Sequence, residues 1–153
     1  MSETTGGTVE DPATAVVGDT GLMLSVAAAA AGRNVNVALE TVALRARTFS
    51  ILELVACVDG INQRRLADTL QLNPSQIVAL VDDLVGEGLV ERRPDETDRR
   101  NRLVCATEKG RIRYAEARAL ADAALDRTLA SLDAAERATL HALLRRVVTN
   151  RSD

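Results

Sequence analysis

Aromatic residues are almost missing from this chain of 153 residues, which has one phenylalanine, one tyrosine and no tryptophan. Its core must therefore be Leu, Val, Ile and Ala, with little to stack a phenolic ligand. Histidine occurs once, at position 141, and no partner cluster accompanies it, which argues against a catalytic or metal site and against an enzyme. The two cysteines, Cys57 and Cys105, match no metal or redox spacing and read as reduced thiols of an intracellular protein. Net positive charge is also lacking. At −3 the whole protein attracts neither nucleic acid nor membrane, so any such attraction must come from a local patch. No charged segment followed by an apolar run opens the chain, which predicts no signal peptide. The longest apolar stretch, Gly21 to Gly32, is alanine-rich and too short for a bilayer. These absences predict a soluble, cytoplasmic protein with no cofactor, no metal and no membrane partner.

What is present favours helix. Apolar residues make up 46% of the chain, Ala and Leu foremost, enough for one packed domain. Residues 1–19 read as a flexible arm with no Lys or Arg. A helix is expected from Asp19 or Thr20 to about Glu40, and a second over roughly Arg47 to Val58, where Ile51, Leu54, Val55 and Val58 form one stripe. Asp59-Gly60 ends it. Gln63 to Leu70 then carries Leu66, Ala67 and Leu70 inward. Asn73 to Glu87 has Asn73 as N-cap, Pro74 at the first helical position, Gln76 closing a capping box, and Ile77, Leu80, Val81 and Leu84 as its buried stripe. Only Gln71-Leu72-Asn73 separates these two helices, a helix-turn-helix arrangement.

Two strands follow, Leu89 to Arg93 and Arg102 to Ala106, around the polar turn Pro94 to Asn101. The stretch "RRPDETDRRNRLVCATEKG" from Arg92 to Gly110 is thus mostly a β-hairpin, with five arginines in its first eleven residues. A hairpin directly after a helix-turn-helix makes a winged helix. Thr107 caps a long helix to about Leu132, with Ile112, Ala115 and Ala119 starting its stripe and Leu125, Leu129 and Leu132 continuing it. Asp133 and Glu136 open a last helix whose broad face carries Leu140, Leu143, Leu144, Val147 and Val148. These long helices exceed what a winged helix needs for its core, and their spare apolar faces suit a helical dimer interface. The fold class is mainly α with a small β-hairpin. It divides into an N-terminal dimerisation helix (20–46), a winged helix-turn-helix region (47–106) and C-terminal dimerisation helices (107–153).

The runs "NPSQIVALVDDLVGEGLV", Asn73 to Val90, and "GLVERRPDETDRRNRLVCATEKG", Gly88 to Gly110, resemble the MarR family of bacterial transcription regulators. The shared wing elements are Asp98-Arg99-Arg100, Leu103-Val104, Thr107 and Gly110. The resemblance implies a homodimer on pseudo-palindromic operator DNA, most often a repressor, relieved by a small aromatic or apolar effector bound between the dimerisation and DNA-binding parts. It also implies that Arg100 enters the minor groove and that Asp98 buttresses the wing, with Arg92, Arg93, Arg99 and Arg102 meeting phosphates. In isolation such a charged hairpin also reads as a merely soluble surface. Asp95, Glu96 and Asp98 lower its net charge.

The helix that would lie in the major groove turns Ser75, Gln76, Ala79, Asp82 and Asp83 outward. Ser75 and Gln76 can reach bases and phosphate, and Gln can bond adenine bidentately. Family members commonly carry a polar residue and an Arg or Lys at positions 78 and 79, and a basic residue at 83. Here these are Val78, Ala79 and Asp83. Arg64 and Arg65 offer either backbone contacts or a solvated helix face. An alternative therefore stands: a winged-helix dimer with weakened or lost DNA binding, acting as a ligand-binding or protein-interaction module. Phe49 falls near the family's ligand cavity and reads first as core, with Arg47 at the cavity's edge. Cys57, in the apolar run "ILELVACVDG", is expected to be buried and inert. Some family members sense oxidants through a first-helix cysteine, and this chain has none there.

Overall fold

The computed structural model describes residues 16–96 and 101–150. Most of the expected arm, residues 1–15, lies outside them, as do the wing residues Asp98, Arg99 and Arg100.

Helix α1, Thr20–Leu39, begins where Asp19 accepts a hydrogen bond from the Leu22 amide at 2.7 Å, one of the orphan donors of a helix start. A 3-10 turn, Glu40–Val42, and a left-handed Ala43 end it. Helix α2 is Ala46–Ala56. Arg45 donates its amide to the Thr48 hydroxyl at 3.0 Å, which sets this earlier start. The helix stops before Val58, which is exposed, so the expected stripe is corrected: Phe49, Ile51, Leu52 and Val55 are the buried apolar residues.

A two-residue strand β1, Ile61–Asn62, leads into α3, Gln63–Leu70, which Asn62 caps by accepting from the Arg65 amide at 2.8 Å. A left-handed Gln71 turns the chain into α4, Pro74–Gly86. Helix α4 closes in a Schellman arrangement. Gly88 takes φ +69°, its amide donates to Val85 at 2.9 Å, and the Leu89 amide donates to Leu84 at 2.9 Å.

Strands β2, Val90–Pro94, and β3, Arg102–Ala106, pair antiparallel with Arg92 opposite Val104. The small sheet has three strands in the order β1-β3-β2, with Ile61 also opposite Val104. Sequence pattern predicts only the hairpin, because the two residues of β1 are too few to show an alternation of faces.

Helix α5, Glu108–Thr128, starts at Thr107, whose hydroxyl accepts from the Gly110 amide at 3.0 Å. It ends short of Leu132, and its stripe also needs correction. Ile112, Ala115 and Ala119 are exposed, whereas Gly110, Ala117, Ala121 and Ala124 are buried. Small residues line this contact because α5 packs closely along α1 and α2, so the larger aliphatics mark the wrong face. Gly110 makes the closest approach: a Cβ there would stand 1.9 Å from the Leu89 carbonyl oxygen. Helix α6, Ala134–Thr149, has a reciprocal capping box. Asp133 accepts from the Glu136 amide at 2.9 Å, and Glu136 accepts from the Asp133 amide at 2.8 Å. None of its residues is buried.

The core joins Leu39 of α1 to Ile51 and Val55 of α2, Leu66 of α3, Ile77 and Leu84 of α4, and Val104 of β3. Contrary to the expectation from the apolar runs, the segment Thr20–Val42 is long and apolar enough, by length and composition, to cross a membrane. Here its Leu39 end enters this core, and Asn34 donates to the Thr128 hydroxyl of α5 at 2.9 Å.

Candidate nucleic-acid interface

Helix α4 is held from behind by Ile77, Val81 and Leu84, all buried, so its opposite face is presented outward. Pro74, Ser75, Val78, Ala79, Asp82 and Asp83 are exposed there. Gln76 is half-buried, and its side-chain oxygen accepts from the Asn73 amide at 3.2 Å. That bond takes one of the two lone pairs of the oxygen that bidentate pairing with adenine would use, and holds the side chain back against the start of its own helix.

The wing lies beside this helix, and its arginines divide into two kinds. Arg92 pairs with Asp82 across the two elements at 2.5 Å. Arg93 pairs with Glu91 on its own strand, and that hydrogen bond, reinforced by the carboxylate's charge, pushes its pKa further up. Arg102, Arg64 and Arg65 are exposed, with no carboxylate partner within ion-pair distance among the described residues. Arg64, Arg92 and Arg102 line one cleft with Asn62, Gln63 and Asn101, between the start of α3 and the wing. Two guanidiniums without a carboxylate partner, a third shared with Asp82, and a helix N-terminus on one cleft are groups that can bind an anion such as a phosphate oxygen.

Two bonds lock wing and helices into one body. The Thr107 hydroxyl donates to the Gly88 carbonyl at 2.7 Å, and Lys109 donates to the Glu87 carbonyl at 2.6 Å, at the C-terminal end of α4.

A second feature lies on the far side of α2. A cavity of about 260 Å³ is bounded by Gly32 and Val35 of α1, Phe49 and Ser50 of α2, and Arg118 and Asp122 of α5. Phe49 is buried and stacks on Tyr114 with ring centroids 6.0 Å apart, so it serves both core and cavity wall. Arg47 is exposed and is not among the residues that line this cavity. Arg118 takes a place that sequence reading did not single out. It pairs with Glu53 of α2 and with Asp122 at 2.9 Å, and the bond to Asp122 raises its pKa. Nothing in the spacing of Glu53 and Arg118, sixty-five residues apart, could signal that contact.

The expectation for Cys57 is corrected. Cys57 is exposed because α2 ends just before it, and Cys105 is the buried one, its pKa raised chiefly by burial. His141 is exposed. No group of three or more His, Cys, Asp or Glu suited to a metal occurs among the described residues.

Comparison with known proteins agrees with this geometry. The model of the MarR family matches residues 44–101. A transcriptional regulator of the MarR family from Rhodococcus sp. RHA1 is 35% identical in its crystal structure, with 91% of this chain and 97% of that chain covered and a TM-score of 0.81. CouR from Rhodococcus jostii RHA1, solved bound to p-coumaroyl-CoA, is 36% identical over 87% of this chain and 94% of its own, with a TM-score of 0.78. A mutant of MarR from E. coli, solved in complex with operator DNA, is 26% identical over 90% and 98% respectively, with a TM-score of 0.76. The HTH-type transcriptional regulator BilQ of Clostridium symbiosum (strain WAL-14163) is 31% identical over 88 residues, and the match spans 61% of its length.

Proposed function

The chain belongs to the MarR family, and from that premise we propose that it is a cytoplasmic, homodimeric, sequence-specific DNA-binding regulator of transcription, acting as a repressor. Helix α4 enters the major groove and the wing enters the minor groove, with Arg100 at its tip and Asp98 as its buttress. Residues 47–106 form the DNA-binding region, and residues 20–46 and 107–153 the dimerisation helices. The observation that carries this reading is the cleft of Arg64, Arg92 and Arg102 beside the exposed face of α4. It supplies the local positive patch that a chain of net charge −3 needs in order to hold a phosphate backbone. The relative solved with operator DNA supports the same reading.

A small, largely apolar effector fits the cavity between α1, α2 and α5, where Arg118 spans α5 and α2. A relative solved with p-coumaroyl-CoA supports an aromatic acyl group as its chemistry. A ligand that draws Arg118 away from Glu53 loosens the tie between the dimerisation helices and the helix that carries the helix-turn-helix.

The experiment is a binding titration of the protein on the DNA upstream of its own gene across a salt series. Affinity should fall steeply with salt, and Arg100→Ala and Arg102→Ala should each weaken it and lower the slope of log affinity against log salt by about one. Salt-insensitive or absent binding, unchanged by either substitution, favours the second reading: a winged-helix dimer that binds a ligand or a protein instead of DNA. Asp83, exposed on the outward face of α4, is the observation on its side.

A further inference from the structure

The outward face of α4 carries an apolar patch over its first turn and a half, with Ser75 as the one exposed polar residue beside it. Pro74, Val78 and Ala79 are exposed there, Val78 by 42%, and no Arg, Lys or Asn stands among them. Beside them runs a groove of about 370 Å³ between α3 and α4, lined by Ala67, Pro74 and Val78 and flanked by Arg64 and Asp68. Arg64 also lines the basic cleft. Duplex DNA with a phosphate in that cleft therefore lies against the apolar groove.

Among base edges in the major groove, guanine asks for Arg or Lys and adenine for a bidentate amide, whereas the 5-methyl group of thymine is the one apolar feature. The first turns of α4 lack the basic groups, and Gln76 is half-buried and tethered to the Asn73 amide through its side-chain oxygen, which turns it back along the helix start. Resting on the DNA-binding reading above, we infer that Val78, with Pro74 and Ala79, is a specificity-determining contact that reads thymine methyl groups in each operator half-site. The recognition helix thus selects by apolar contact, and phosphate affinity comes from the arginines around it.

Uracil differs from thymine by the methyl group alone, and this makes the inference measurable. Duplexes selected from a randomised pool by the full-length protein supply the site. Each thymine of a half-site is then replaced singly by deoxyuridine. At one or two positions per half-site the wild type should lose about fourfold in affinity, the worth of one buried methyl group. Val78→Ala, an exposed helical position that tolerates alanine, should bring the thymine-to-uracil ratio at those positions to about one. Uracil tolerated at every position overturns the inference while leaving DNA binding intact, as does a discrimination that survives Val78→Ala. Recovery of no duplex at all overturns the DNA-binding reading itself, and this inference with it.

Discussion

Arg92 on the wing and Asp82 on the outward face of α4 form an ion pair at 2.5 Å, so an arginine of the proposed DNA-binding surface is held by a carboxylate of that same surface. The pair fixes the angle between wing and helix and at once removes one positive charge from the cleft. Both side chains are partly solvent-exposed, at 29% and 57%, so the bond contributes less than about 1 kcal/mol to stability. Its consequence is electrostatic. Asp82→Ala should leave the melting temperature nearly unchanged, raise affinity for DNA several-fold at low salt, and steepen the salt dependence by about one phosphate contact. Fluorescence anisotropy over a salt series measures this, and an affinity that falls in Asp82→Ala would show that the pair serves wing alignment above all.

Gly110 sets the distance between α5 and the strand-helix junction. A Cβ at this position meets the Leu89 carbonyl oxygen at 1.9 Å, and that oxygen also accepts from the Thr107 amide at 3.0 Å, so the backbone is held where the methyl would go. Gly110→Ala should cost about 3 kcal/mol or more. Gly86→Ala is the counterpart. No atom lies within 4 Å of a Cβ there, and the substitution should be neutral or stabilise by about 0.5 kcal/mol. Thermal or urea unfolding of the two variants gives opposite signs if close approach is the reason for Gly110.

Helix α6 leaves Leu143, Val147 and Val148 at least half exposed, and α1 leaves Leu24 and Val37 likewise. In water such faces need a cover, and the proposed dimer provides it. Leu143→Asp with Val147→Asp should convert the dimer to monomer by light scattering. It should also cost most of the affinity for a two-half-site duplex while affecting a single half-site far less. A dimer that persists in this variant would move the interface away from α6.

The two cysteines should separate cleanly in reactivity. In the native protein at neutral pH an alkylating reagent should modify Cys57, which is exposed, and reach Cys105 only after unfolding. Intact and peptide mass spectrometry reads this directly. Burial also raises the Cys105 pKa above the ordinary thiol value of 9.0, and burial followed by the charge of Glu53 raises that of Tyr114 above 10.0. In both cases the folded pKa exceeds the unfolded one. The stability contribution is therefore complete below those ordinary values and is lost as pH rises through the folded ones. Unfolding free energy should be flat near neutrality and decline above about pH 9, and Cys105→Ala should reduce that decline. An unchanged alkaline slope in Cys105→Ala would remove the thiol from this account.

The helices, their caps and the order of elements were legible in the sequence because they rest on local chemistry. Asp19, Thr107 and Asp133 each accept an amide from three residues on, which spacing alone reveals. Contacts that depend on where distant elements meet were not legible. Arg118 finds Glu53, Asp82 finds Arg92, and a two-residue strand finds β3, all across separations that carry no periodic signal. Helix α5 shows the limit most plainly. Its larger aliphatics point to one face, yet tertiary packing chose the face of Gly110, Ala117, Ala121 and Ala124, because backbone proximity favours the smallest side chains. The sequence by itself thus determined a winged helix with its caps, its basic wing and its spare apolar helices. Only the tertiary structure decided which arginines remain available to a phosphate and which thiol meets solvent, since each depends on what neighbouring elements cover or neutralise.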